Sequence, residues 1–66
     1  MVGENVRQLR MSRGMTQEHL AEVSGFSQQY ISDLERGRRN PTVVSLFGLA
    51  QALDTTPAEL VTELSG

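Results

Sequence analysis

The segment Val23-Ser24-Gly25-Phe26-Ser27 restricts the fold of this chain more than any other. Helical patterning runs up to Val23 and resumes after Ser27, so only Ser24, Gly25 and Phe26 connect two helices. A connection that short holds its helices at a steep angle, and one residue in it must take a positive φ. Gly25, with no Cβ, does so at least cost. Ala21 lies four residues earlier, where a larger side chain would push the next helix away. An alanine, three further residues, a glycine and an apolar face resuming at Ile31 describe a helix-turn-helix.

The rest of the chain is punctuated in the same way. Gly14, Gly25, Gly37 and Gly48 are spaced by 11, 12 and 11 residues. Their flanking residues do not match, so the spacing is the length of a short helix plus a turn and not a repeat. Between them the apolar residues recur at helical, not alternating, intervals. Val2, Val6 and Leu9 share a face of a first helix that ends near Arg13-Gly14. Thr16 is the N-cap of a second, whose Leu20, Ala21 and Val23 are expected to face inward until Gly25 ends it. Ser27 caps a third, with Ile31 and Leu34 on one face, and Thr42 caps a fourth, with Leu46, Leu49, Ala50 and Leu53 inward. Gly48 inside that fourth helix costs about 1 kcal/mol relative to alanine, which predicts a close helix contact there. Thr56-Pro57-Ala58-Glu59 supplies an N-cap, a proline at N1 and a glutamate at N3, which predicts a complete capping box. The expectation is one all-α domain over residues 1–66, a compact bundle of five helices.

Size and composition narrow the chemistry. At 66 residues the chain is near the lower limit for folding without a staple, and with no tryptophan its core must be small and mostly aliphatic. It has no cysteine, which excludes disulfides and thiolate metal sites and fits a reducing cytoplasm. No apolar run approaches the roughly 20 residues that cross a bilayer, and the amino terminus lacks a basic-then-apolar signal pattern. His19 is the single histidine, without metal-ligand spacing or a catalytic partner, and is expected to be exposed on the second helix. Phe26, Phe47 and the methionines are expected as core or contact residues. Neither a cofactor, a metal nor an enzymatic activity is expected.

A net charge of −2 looks wrong for a nucleic-acid binder, but the distribution matters more than the sum. All six basic residues are arginines and lie before position 40. Up to Thr42 they meet five carboxylates, leaving +1; from Val43 on, three carboxylates stand alone, leaving −3. The front of the chain is weakly basic and the back acidic.

The third helix can be turned about its axis at about 100° per residue, with Ile31 as the inward direction. Leu34, Ser27 and Glu35 then lie on the inner half, and Gln29, Ser32, Asp33 and Arg36 face outward. Gln28 and Tyr30 flank. Exposed glutamines are good surface helix formers, and that alone accounts for most of them. Glutamine also pairs bidentately with adenine in the major groove, and the start of a helix following such a turn is the part that meets base edges. Gln28, Gln29 and Ser32 are therefore expected to read bases. Asp33 is a base-contact candidate with alternatives: it accepts from cytosine N4, or it holds Gln29 or Arg36 in place. Thr16 and Gln17 open the second helix, where backbone N–H groups and the helix dipole attract phosphate. Ser27, Tyr30, Arg36, Arg38, Arg39 and Asn40 are the further candidates for backbone contact. Arg7 and Arg13 read as surface charges.

The segment MTQEHLAEVSGFSQQYISDLERGRRNPTVVSLFGLAQAL resembles the phage-repressor type of helix-turn-helix family, often called the Xre family. The matching positions include Thr16, Gln17, Leu20, Ala21, Gly25, Ser27, Ile31, Ser32, Glu35, Gly37, Arg38, Pro41, Leu46, Leu49, Ala50 and Leu53, with Leu9, Arg10 and Leu60 outside the segment. The resemblance implies a lambda-repressor-like bundle that binds double-stranded operator DNA as a homodimer to control transcription. It also implies that Arg10 and Glu35 form a structural ion pair between the first and third helices. Asp33 departs from what is expected of a DNA-facing surface, so no operator is carried over from glutamine-rich relatives.

Two functions follow. One is a sequence-specific transcriptional regulator, cytoplasmic and nucleoid-associated, on a two-fold symmetric operator, with Val61 and Leu64 forming the dimer contact. The other is a protein-interaction module on the same scaffold, whose partner is a toxin or the polymerase, as in an antitoxin or a coactivator. The acidic back of the chain suits the second.

Overall fold

The computed structural model describes residues 2–62. These form α1 (Val2–Ser12), α2 (Gln17–Ser24), α3 (Gln28–Glu35), α4 (Val43–Ala52) and α5 (Pro57–Val61), with no strand among the described residues. The domain is all-α, as the helical spacing predicts.

Four helices start on hydroxyl caps. Thr16, Ser27, Thr42 and Thr56 have extended backbones, and their side chains accept from the N–H groups of His19, Tyr30, Ser45 and Glu59. Each such cap satisfies a donor the helix cannot, worth about 1 kcal/mol. At α5 it is the forward half of the capping box that forms among the described residues, from Glu59 N–H to Thr56 Oγ1 at 3.3 Å. Gly25 ends α2 in the left-handed region (φ 82°), its N–H donating to the Ala21 carbonyl at 3.0 Å. At the end of α4 the left-handed position falls to Asp54, φ 55°, which is not a glycine. Asp54 N–H donates to the Gln51 carbonyl at 3.2 Å and Thr55 N–H to that of Ala50 at 2.8 Å, the paired closure of a Schellman motif.

Helix α1 packs on α3 and α5, α2 on α3 and α4, and α4 on α5. The core they enclose is aliphatic: Val6 from α1, Leu20 and Ala21 from α2, Ile31 and Leu34 from α3, Leu49 and Ala50 from α4, then Leu53 and Leu60. Burying each leucine contributes roughly 1.5–3 kcal/mol. Val23 does not join them. It is 49% exposed, because two residues after Ala21 it lies roughly 200° around the helix, on the opposite side. Met11 and Phe47 are likewise exposed and are not core residues.

The close helix approach expected at Gly48 lies instead at Gly3. A Cβ on Gly3 would overlap the Leu34 carbonyl oxygen, so α1 touches the main chain of α3 directly. A Cβ on Gly48 would meet the side chain of Phe26 at 3.4 Å, ordinary contact with a ring from the α2–α3 turn. Asn5 is a polar residue buried in the interior, 2% exposed. Its Nδ2 donates to the carbonyls of Leu60 at 2.8 Å and Thr62 at 2.6 Å, which binds the end of α5 to α1 and satisfies carbonyls that a helix end leaves free.

Candidate nucleic-acid interface

Helix α3 is held from behind by apolar and ionic contacts. Ile31 and Leu34 sink into the core. Beside them Glu35 accepts from Arg10 Nε at 2.7 Å and from Arg10 NH2 at 3.1 Å, a bidentate pair. Arg10 NH1 donates to the Met15 carbonyl at 2.7 Å. Gln17 Nε2 donates to the same Glu35 carboxylate at 3.0 Å. The carboxylate is 3% exposed and the guanidinium side chain 12%, so each charge is shielded from water and depends on the other. One side chain of α3 thus ties down α1 and α2. Gln17, a phosphate candidate, is half-buried and spends one amide N–H here; its second N–H is left for another acceptor.

The opposite side of α3 is polar. Gln28, Gln29 and Arg36 are exposed, and Ser32 and Asp33 are half-buried. Gln29 Nε2 donates to Asp33 Oδ1 at 3.0 Å, so Asp33 holds Gln29, one of the alternatives open for it. The face presents amide donors and acceptors, a hydroxyl, a carboxylate and a guanidinium, which is the chemistry that base edges and phosphates complement.

Around this face stand the groups suited to phosphate. The Thr16 and Ser27 hydroxyls accept from backbone N–H in their caps, which leaves each O–H free to donate outward. The Gly37 turn closes α3, with Arg38 N–H on the Asp33 carbonyl at 2.8 Å, and then Arg38, Arg39 and Asn40 are exposed. Arg39 lies over the Tyr30 ring, 5.3 Å from its centroid. Tyr30 in turn leans on Phe26, centroids 5.0 Å apart. The cation–π contact is worth about 0.5–1 kcal/mol at such a site, enough to bias where the guanidinium rests. Nothing in the spacing of Tyr30 and Arg39 signals this pairing, since the turn between them sets it. Arg13 donates to the Asp54 carbonyl at 3.3 Å, and Arg7 is exposed on α1. Val61 is exposed at the end of α5, and Leu64, its expected companion in a dimer contact, lies outside the described residues.

Among the described residues no helix is long and apolar enough to cross a membrane. No three histidine, cysteine or carboxylate side chains among them stand close enough to hold a metal ion.

Comparison with known proteins agrees with this geometry. The profile of the helix-turn-helix family HTH_3 matches residues 6–60. The HTH-type transcriptional regulator y4dJ of Sinorhizobium fredii is 60% identical over 62 residues, covering 94% of this chain and 80% of that protein. Among solved structures, the restriction-modification controller protein C.AhdI of Aeromonas hydrophila superposes with a TM-score of 0.86 at 44% identity, covering 89% of each chain. SinR, the master regulator for biofilm formation, solved in complex with DNA, superposes with a TM-score of 0.89 at 30% identity. That match covers 94% of this chain and 100% of the other. With its short turn at Gly25, the five helices of its described residues in this order and the family profile over residues 6–60, the chain belongs to the HTH_3 helix-turn-helix family.

Proposed function

We propose that this chain is a sequence-specific transcriptional regulator that binds a two-fold symmetric DNA operator as a homodimer in the cytoplasm, with α3 in the major groove. One observation carries the reading: the outer face of α3 is polar along its length while its inner face is locked by Ile31, Leu34 and Glu35. A helix fixed that way can present side chains to base edges without losing order on binding. Gln28, Gln29 and Ser32 read bases. Thr16, Gln17, Ser27, Tyr30, Arg36, Arg38, Arg39 and Asn40 hold the flanking backbone. The homologous regulators support the reading, SinR among them in complex with DNA. Half-sites lie about one helical turn (~34 Å) apart, and Val61 contributes to the contact between copies, so Val61→Glu weakens self-association on the operator.

The test is a titration against the DNA upstream of the protein's own gene and against random DNA, each at two salt concentrations. A large preference for the upstream DNA is expected, with both affinities falling as salt rises through counterion release. Equal affinity for the two DNAs would support the second reading, a module for a protein partner. One observation favours that reading: Val43, Val44 and Phe47 stand exposed on α4, Val44 at 80%.

A further inference from the structure

We infer that Asp33 sets the base choice of Gln29: it occupies one of the two N–H donors of the Gln29 amide and leaves that side chain matched to adenine and mismatched to guanine. The inference rests on the DNA-reading function proposed above and assigns Asp33 a positioning role within it.

The geometry is an i, i+4 pair on the outer side of α3, with Gln29 Nε2 donating to Asp33 Oδ1 at 3.0 Å. A glutamine amide has one carbonyl acceptor and two N–H donors. On its major-groove edge adenine offers an acceptor, N7, and a donor, the N6 amino group; guanine offers two acceptors, N7 and O6. An unrestrained glutamine satisfies either purine. It turns its oxygen and one N–H toward adenine, or both N–H groups toward guanine. With one N–H committed to Asp33, the second option is gone. What remains is one donor beside one acceptor, the complement of adenine.

The orientation of the amide follows from the carboxylate. The reversed amide would set the Gln29 oxygen against a carboxylate oxygen, two acceptors with no proton between them. A bidentate adenine pair uses the carbonyl oxygen and the N–H next to it, so the other N–H, on the far edge of the amide, is the one available to Asp33. Both bonds can form together.

In water a side-chain pair of this kind is weak. In a groove it is stronger, for two reasons. Water is excluded, which strengthens each remaining hydrogen bond. A carboxylate facing phosphates and base acceptors must also find a donor or pay its full desolvation cost. The Gln29 N–H is the donor already beside it. Asp33 therefore selects without touching a base, and it acts through the residue one turn before it.

The experiment is selection of bound fragments from a random DNA pool by the wild type, Gln29→Ala, Asp33→Ala and Asp33→Asn. The position read by Gln29 is the one whose preference disappears in Gln29→Ala. There the wild type is expected to favour adenine over guanine by about 10-fold or more. Asp33→Ala should bring that ratio to within about 3-fold at the same position and leave the other positions unchanged. Asp33→Asn should keep the preference, because its side-chain oxygen still accepts from Gln29. If Asp33→Ala does not fold, judged by thermal unfolding, Asp33→Ser replaces it, its hydroxyl being too short to reach the amide.

A wild-type preference for guanine at that position would overturn the inference and leave the DNA-binding function standing. So would an Asp33→Ala change confined to a different base pair, which would make Asp33 a direct reader. An Asp33→Asn variant as unselective as Asp33→Ala would also overturn it. A wild type that selects no sequence at all would remove the function itself, and the inference with it.

Discussion

Gly3 of α1 rests against the main-chain carbonyl of Leu34, the second-to-last residue of α3. The missing side chain lets two helix backbones touch where a methyl group would not fit, with Glu35 Cα only 3.2 Å from where the methyl would stand. Gly3→Ala should therefore destabilise the domain by about 1–3 kcal/mol, even though alanine favours the helix by about 1 kcal/mol. Urea unfolding measures it; an unchanged or higher midpoint would contradict the contact.

Gly48 should respond in the opposite sense. A methyl group there meets the Phe26 ring at an ordinary distance, 3.4 Å, so helix propensity decides. Gly48→Ala should stabilise by about 0.5–1 kcal/mol. A loss of stability in thermal unfolding would mean that Phe26 cannot yield at all.

The Arg10–Glu35 pair gives a test of coupling. Removing either partner strands a shielded charge and should cost about 3–5 kcal/mol, a large share of what a domain of this size possesses. Replacing both, as Arg10→Met with Glu35→Leu, should cost much less than the two single changes added together. A double-mutant cycle in urea reads the difference, and additive effects would show that the two charges do not depend on each other.

Asp54 occupies a left-handed position, φ 55°, as a residue with a side chain. Asp54→Gly removes that strain and keeps the backbone carbonyl to which Arg13 donates. The variant should gain about 0.5–1 kcal/mol. A lower melting temperature would show that the Asp54 side chain contributes more than its backbone costs.

On DNA, reading and holding should separate. Gln28→Ala should weaken operator binding by about 1–3 kcal/mol and leave random-DNA binding nearly unchanged. Arg38→Ala should weaken both alike and lower the salt slope by about one unit. Gel-shift titrations over a range of salt distinguish them, and a reversed pattern would exchange the two assignments.

What could be read from the sequence was local. The caps at Thr16, Ser27, Thr42 and Thr56 and the turn at Gly25 are signals contained within about one helical turn, and each appears where those residues stand. Features that depend on a second helix were harder to read. Gly3 and Gly48 are both helical glycines, and nothing near either one tells which faces a backbone and which a ring. Val23 looked apolar and therefore inward, but two residues past Ala21 there is no neighbouring helix to receive it. Asn5 gave no signal because its partners are carbonyls 55 and 57 residues away. At the interface, the spacing of Gln29 and Asp33 allowed their bond but did not select it over the alternatives. The Arg39–Tyr30 contact exists only because the turn after α3 folds the loop back.

The rings of Phe26 and Tyr30 carry a further consequence. Arg39 rests on Tyr30, Tyr30 on Phe26, and Phe26 against α4 at Gly48. The guanidinium is thus linked to α4 by a short train of rings. A bulky residue at position 48 would reach the arginine through those rings. Under the proposed function, operator affinity can drift through substitutions behind the outer face of α3, while every residue assigned to the nucleic acid stays the same.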